Sequence, residues 1–137
     1  SYTYSNSDVY MGDWVEGMKE GQGILSFSSG KKYKGTFVKD NLEGKGIMSH
    51  INGDTYEGFW KDGLMNGIGN FYDLDGNSYQ GEWENSQFHG EGIFNYANGD
   101  IYEGKWLNGK RNGEGIWRLA NGIIKYEGVW KNNDRRL

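Results

Sequence analysis

Tyrosine recurs in this chain on a fixed period. Tyr10, Tyr33, Tyr56, Tyr79 and Tyr102 lie 23 residues apart, and Tyr126 follows after 24. With each Tyr counted as zero, a second ring stands at plus four: Trp14, Phe37, Trp60, Trp83, Trp106 and Trp130. Glycine fills fixed slots: plus two (Gly12 to Gly128), plus seven (Gly17, Gly63, Gly109), plus eleven and plus thirteen (Gly21/Gly23 to Gly113/Gly115), and three or four residues before Tyr (Gly30 to Gly122). Those slots hold all 24 glycines of the 137 residues, so the repeat is the organising fact of the sequence. The expected organisation is one array over 1–137. A partial unit occupies 1–6, and units start near 7, 30, 53, 76, 99 and 122. Tyr2 aligns with Leu25 and Tyr4 with Phe27, while Leu137 occupies a plus-eleven slot, which reads as a piece of a longer protein.

One unit, residues 53–75, shows what the pattern can fold into. Residues 54–60 alternate with period two and are rich in β-formers, which predicts a strand. The spacing predicts a turn over Lys61–Asn66 around Gly63, a return strand over Gly67–Tyr72 and a second turn over Asp73–Gly76. Parity places Tyr56, Gly58, Trp60, Gly67, Gly69 and Phe71 on one face. Glu57, Phe59, Ile68 and Asn70 fall on the other. Rings stacked over glycines of adjacent units are expected to supply most of the stability, because a single sheet has no thick core. At plus seven, Asp40 and Asn133 tolerate the left-handed backbone, whereas Ser86 suggests a different turn. The additional residue between Gly122 and Tyr126 predicts a β-bulge. No window carries helical periodicity free of glycine.

The pattern Tyr-x-Gly-x-Trp-x-x-Gly-x-x-x-Gly-x-Gly is intact at Tyr10–Gly23 and Tyr102–Gly115. It resembles the MORN repeat (membrane occupation and recognition nexus), and the resemblance covers nearly the whole chain. It implies stacked β-hairpins in an elongated, twisted or trough-shaped sheet. It also implies scaffold roles beside membranes and cytoskeletal or ciliary structures, often in company with catalytic domains.

The remaining chemistry favours structure over catalysis. The Gly-x-Gly pairs sit in expected strands rather than in strand–loop–helix phosphate cradles. Glu57, Glu103 and Glu127 form a solvated column, and His50 and His89 fall in unrelated slots with no clustered metal ligands. There is no Cys, so disulfides and thiolate chemistry are excluded. A net charge of −4 argues against nucleic acid. No apolar run is long enough for a helical membrane span.

The sequence therefore predicts an all-β, single-layer antiparallel sheet of stacked hairpins with no enzymatic activity, cofactor or metal. The expected role is a protein-interaction scaffold that takes another protein or peptide along its aromatic face. The candidate anchors there are Tyr56, Trp60, Phe71, Tyr79, Trp83, Phe94, Tyr102, Trp106 and Trp117. The first alternative is binding of anionic phospholipid through the basic tips Lys110, Arg111, Lys131, Arg135 and Arg136. The second is a homodimer formed through terminal hairpins. The expected location is cytoplasmic, peripheral to a membrane or to cytoskeletal or ciliary structures.

Overall fold

The computed structural model describes residues 1–136, with the Arg136 side chain and Leu137 outside the described residues. Thirteen strands form one antiparallel sheet in strict sequence order. They are β1 (Tyr2–Thr3), β2 (Val9–Val15), β3 (Met18–Ser26), β4 (Lys32–Val38), β5 (Asn41–Ser49), β6 (Thr55–Lys61), β7 (Leu64–Tyr72), β8 (Ser78–Glu84), β9 (Gln87–Asn95), β10 (Ile101–Leu107), β11 (Lys110–Arg118), β12 (Ile124–Lys131) and β13 (Asp134–Arg136). The hairpin repeat read from the sequence is thus the architecture. Register confirms the face that carries the rings: Tyr56 lies opposite Phe71, Gly58 opposite Gly69, and Phe71 in turn opposite Tyr79.

The tips are tighter than the spacing predicts. β6 runs to Lys61 and β7 begins at Leu64, so the expected six-residue turn is only Asp62 and Gly63, both left-handed (φ 51° and 80°). Two successive left-handed residues make the turn whose twist matches paired strands. Asn85 and Ser86 adopt the same pair of angles (51° and 65°), so Ser86 does not mark a different turn.

The longer return strand is accommodated by an irregularity in its middle. Gly58 pairs with Gly69 and Trp60 with Met65, so Phe59 alone stands opposite three residues, Asn66 to Ile68. Gly67 passes through this irregularity with φ 93°, and a Cβ there would meet Phe59 on the charged face. Gly67 therefore serves backbone conformation and does not join the ring face, contrary to simple parity. The predicted bulge before Tyr126 is present: Trp117 pairs with Tyr126 and Arg118 with Ile124, leaving Lys125 as the additional residue.

The core is a single layer of rings. Tyr10, Tyr33, Tyr79, Tyr102 and Phe37 are fully buried, and Tyr56, Trp60, Trp83, Trp106 and Trp130 nearly so. The rings of Tyr10, Tyr33, Tyr56, Tyr79 and Tyr102 each lie over the plus-thirteen glycine of their own hairpin; a Cβ at Gly69 would fall inside the Tyr56 ring. Ring-on-glycine packing is thus made within a hairpin, not between neighbours as the sequence suggested. The plus-four rings join the hairpins instead. Trp83 is edge-on to its own Tyr79 at 5.2 Å and to Tyr56 of the preceding unit at 5.1 Å, and its indole N–H donates to the Gly69 carbonyl at 3.0 Å.

Candidate functional site

The ring face is built in two tiers. The lower tier contains the plus-zero tyrosines and plus-four rings, and its polar atoms are largely satisfied from within, the buried Trp130 indole N–H being left without an acceptor. The hydroxyl of Tyr56 donates to the Phe59 carbonyl at 2.8 Å, and Tyr79 and Tyr102 donate in the same way to Glu82 at 2.8 Å and Lys105 at 3.0 Å. Burial pushes the Tyr33 and Tyr102 hydroxyls up to about 12 and raises those of Tyr56 and Tyr79 as well. Of the nine candidate anchors, Tyr56, Tyr79, Tyr102, Trp60, Trp83 and Trp106 all belong to this tier. Phe71, Phe94 and Trp117, at plus fifteen, are half-buried and reach the surface.

The upper tier has a second row, at positions that the spacing assigns to the turn. At plus nine stand Lys19, Leu42, Met65, Phe88, Arg111 and Arg135. Each lies directly opposite a plus-four ring, as Phe88 does Trp83 and Arg111 does Trp106. Phe88 stacks flat on Tyr79, with centroids 4.0 Å apart and planes at 12°. The plus-nine side chains are therefore lids over the tyrosines and, with Phe71, Phe94 and Trp117 at plus fifteen, form the accessible ring face; Leu25 and Met48 in that slot are buried. A two-residue turn was the signal that would have placed them there, because it pairs Met65 with Trp60 and cross-strand partners share a face.

This tier changes character along the array. In the middle, Met65, Phe71, Trp83 and Phe88 line a hollow of about 380 Å³, with His50 and Gln87 at its rim. The plus-seventeen residue lining this hollow is His50, where Phe27 and Tyr96 supply rings in other units. At the C-terminal end the tier is cationic: Arg111 lies over Trp130 with its Cζ 4.6 Å from the ring centroid, and Arg135 over Tyr126 at 5.7 Å. The candidate basic tips thus divide. Arg111 and Arg135 fold onto the ring face, Lys110 and Lys131 stand exposed at the adjoining tip positions, and the Arg136 side chain lies outside the described residues. The opposite face carries Glu57, Phe59 and Ile68, all exposed. Among the described residues no group of three or more His, Asp or Glu side chains is arranged to hold a metal ion.

A family model for the MORN repeat matches five consecutive units, residues 10–32, 33–55, 56–78, 79–101 and 102–124. The chain belongs to the MORN repeat family. No curated relative matches the MORN array significantly. Among solved structures, it is similar to the SAS-4 (dCPAP) TCP domain of Drosophila melanogaster, solved in complex with a proline-rich motif of Ana2 (dSTIL). The TM-score is 0.55 at 12% identity, over 88% of this chain and 65% of that one. The array therefore spans a little under two thirds of that chain, and the likeness is one of fold.

Proposed function

We propose that this MORN array is a non-enzymatic scaffold that holds a segment of a partner protein along its ring face. The observation that carries the reading is the two-tier construction. The lower tier satisfies the fold, while Phe71, Phe88, Phe94 and Trp117 in the upper tier remain half-buried, Phe71 and Phe88 lining an uncovered hollow. Contiguous apolar surface of this kind marks interaction sites, and rigid rings are low-entropy anchors. The fold is also one on which a peptide motif has been seen, in the SAS-4 domain. A location beside a membrane or cytoskeletal structure is part of the same proposal.

Photo-crosslinking tests the face directly. A benzoylphenylalanine at Phe71 or Phe94 is expected to capture a discrete partner from lysate, whereas one at Phe59 or Ile68 is not. Crosslinking only from Phe59 or Ile68 would reverse the face.

The phospholipid alternative is favoured by one observation, the cationic C-terminal end. Its test is flotation with phosphatidylserine-containing vesicles before and after Lys110 and Lys131 are changed to Glu. Flotation that survives this change, or that occurs equally with neutral lipid, removes electrostatic tip binding.

A further inference from the structure

Three cations converge on a single ring at the C-terminal end of the face. Lys125 Nζ lies 4.3 Å from the Trp117 centroid, Arg135 Cζ 5.9 Å and Arg111 Cζ 6.0 Å. Like charges this close repel, and a carboxylate among them would relieve the repulsion. Among the described residues none of the three has an acidic partner within ion-pair distance; the pairs present are Lys19–Asp40 and His89–Glu84. Arg111 is held by neutral acceptors, the Tyr96 hydroxyl at 3.0 Å and the Asn133 carbonyl and side-chain oxygens at 3.3 Å. Asp100 accepts from the Trp117 indole at 3.2 Å and the Ala120 amide at 3.1 Å; it makes no ion pair with any of the three, and its single charge offsets only one of them.

The other end of the array shows what a self-neutralised version looks like. Lys19 occupies the slot of Arg111, and there the plus-seven residue of the next unit is Asp40, 3.4 Å from the ammonium. At Arg111 the corresponding residue is Asn133, which keeps the hydrogen bond to the plus-nine amide at 2.8 Å and drops the charge. Lys125 is the array's one inserted residue, and the bulge it creates brings its side chain onto the ring face. Two independent departures from the repeat therefore leave this end positively charged and open.

We infer that Arg111, Lys125 and Arg135 around Trp117 form a seat for a carboxylate side chain of the partner segment, which is acidic at one end and apolar beyond it. The inference rests on the ring-face reading above and adds the partner's chemistry and direction. Guanidinium groups match a carboxylate through paired N–H donors, and this attraction is strengthened where rings exclude water. The acidic end sits over β11–β13, and the apolar part crosses Phe94 and Phe88 to the hollow at Phe71. That path crosses four strand spacings, about 20 Å, or roughly six residues of extended chain. A peptide fits better than a membrane surface because Arg111 is packed over Trp130 and tied to Tyr96 and Asn133, which holds it against the rings.

The test is selection of a displayed library of random short peptides on the full chain, followed by anisotropy measurements on the enriched peptides. Asp or Glu is expected to be enriched at one end of an apolar stretch. Lys125→Gln and Arg135→Gln, exposed changes that break no hydrogen bond to the backbone, should each weaken such peptides about tenfold without altering the melting temperature. Enrichment without acid, or acid enrichment that persists in the double variant, overturns the seat and leaves the ring face standing. No enrichment on the unaltered chain overturns both. Flotation with phosphatidylserine vesicles that is lost in the same two variants, with no acidic peptide selected, would assign the cations to lipid and also overturn the seat.

Discussion

At the scale of residues, glycines with the same name do different work, and substitution separates them. Gly69→Val places a side chain inside the Tyr56 ring and should lower stability by roughly 1–3 kcal/mol in urea unfolding. Gly63→Ala meets nothing within 4 Å but must hold φ 80°, so its cost should be about 1 kcal/mol. If the two changes cost the same, ring packing is not what selects glycine at plus thirteen. The tyrosine hydroxyls make a second prediction. Tyr33 and Tyr102 titrate near 12 in the folded chain, against about 10 when unfolded. Folding favours the protonated phenol, so this contribution is intact below pH 10. Above that the unfolded chain releases protons that the folded chain keeps, and stability falls as pH climbs from about 10 to 12. Unfolding midpoints measured across that window should drop steeply, and those between pH 7 and 9 should not.

At the scale of elements, the hairpin tips are linked beyond the ladder. The Gly63 amide donates to the Leu42 carbonyl of the preceding hairpin at 3.1 Å, and Ser86 does the same to Met65 at 2.9 Å. Where plus seven is not glycine, its side chain returns a bond: Asp40 accepts from the Lys19 amide at 2.8 Å, Ser86 from Met65 at 3.1 Å and Asn133 from Arg111 at 2.8 Å. Ser86→Ala should therefore cost about 1–2 kcal/mol, losing the bond while keeping a left-handed φ of 65°. Ser86→Gly relieves the backbone and should be milder by about 1 kcal/mol in thermal unfolding. The elements that were legible in the sequence are those where one chemistry recurs. Tyr, Trp and Gly columns made the hairpin, its ring face and the bulge before Tyr126 readable. The plus-nine row was hidden because Lys, Leu, Met, Phe and Arg share no chemistry to align, and because the tip is two residues long where the glycine spacing suggests six. The side to which Lys125 turns was hidden too, since an inserted residue announces a bulge but not its direction.

At the scale of the whole molecule, each strand pairs in the ladder only with its sequence neighbours and its rings reach no further than the adjacent hairpin, so stability is a sum of local terms. Twelve strand spacings give a length of roughly 55–60 Å, and small-angle scattering should report an elongated particle. Hydrogen exchange in Gly69→Val should show lost protection centred on β6 and β7, with β2–β3 and β11–β12 retained. Uniform loss would mean that the sheet unfolds as one body and that coupling passes well beyond adjacent hairpins.

The two-residue tips and five-residue returns also bear on how such a chain can change over time. A block of 23 residues begins and ends at equivalent points of the ladder, so unequal recombination within the gene can add or delete a hairpin while every remaining interface is preserved. Length is then freely adjustable, but only where neighbouring units are alike. Lys125 and its bulge break that equivalence, because a block exchanged across it would carry the insertion along or erase it. The last hairpins are thus the part of the array that duplication cannot copy silently, and lineages that lengthen or shorten it are expected to do so among the units before Gly122.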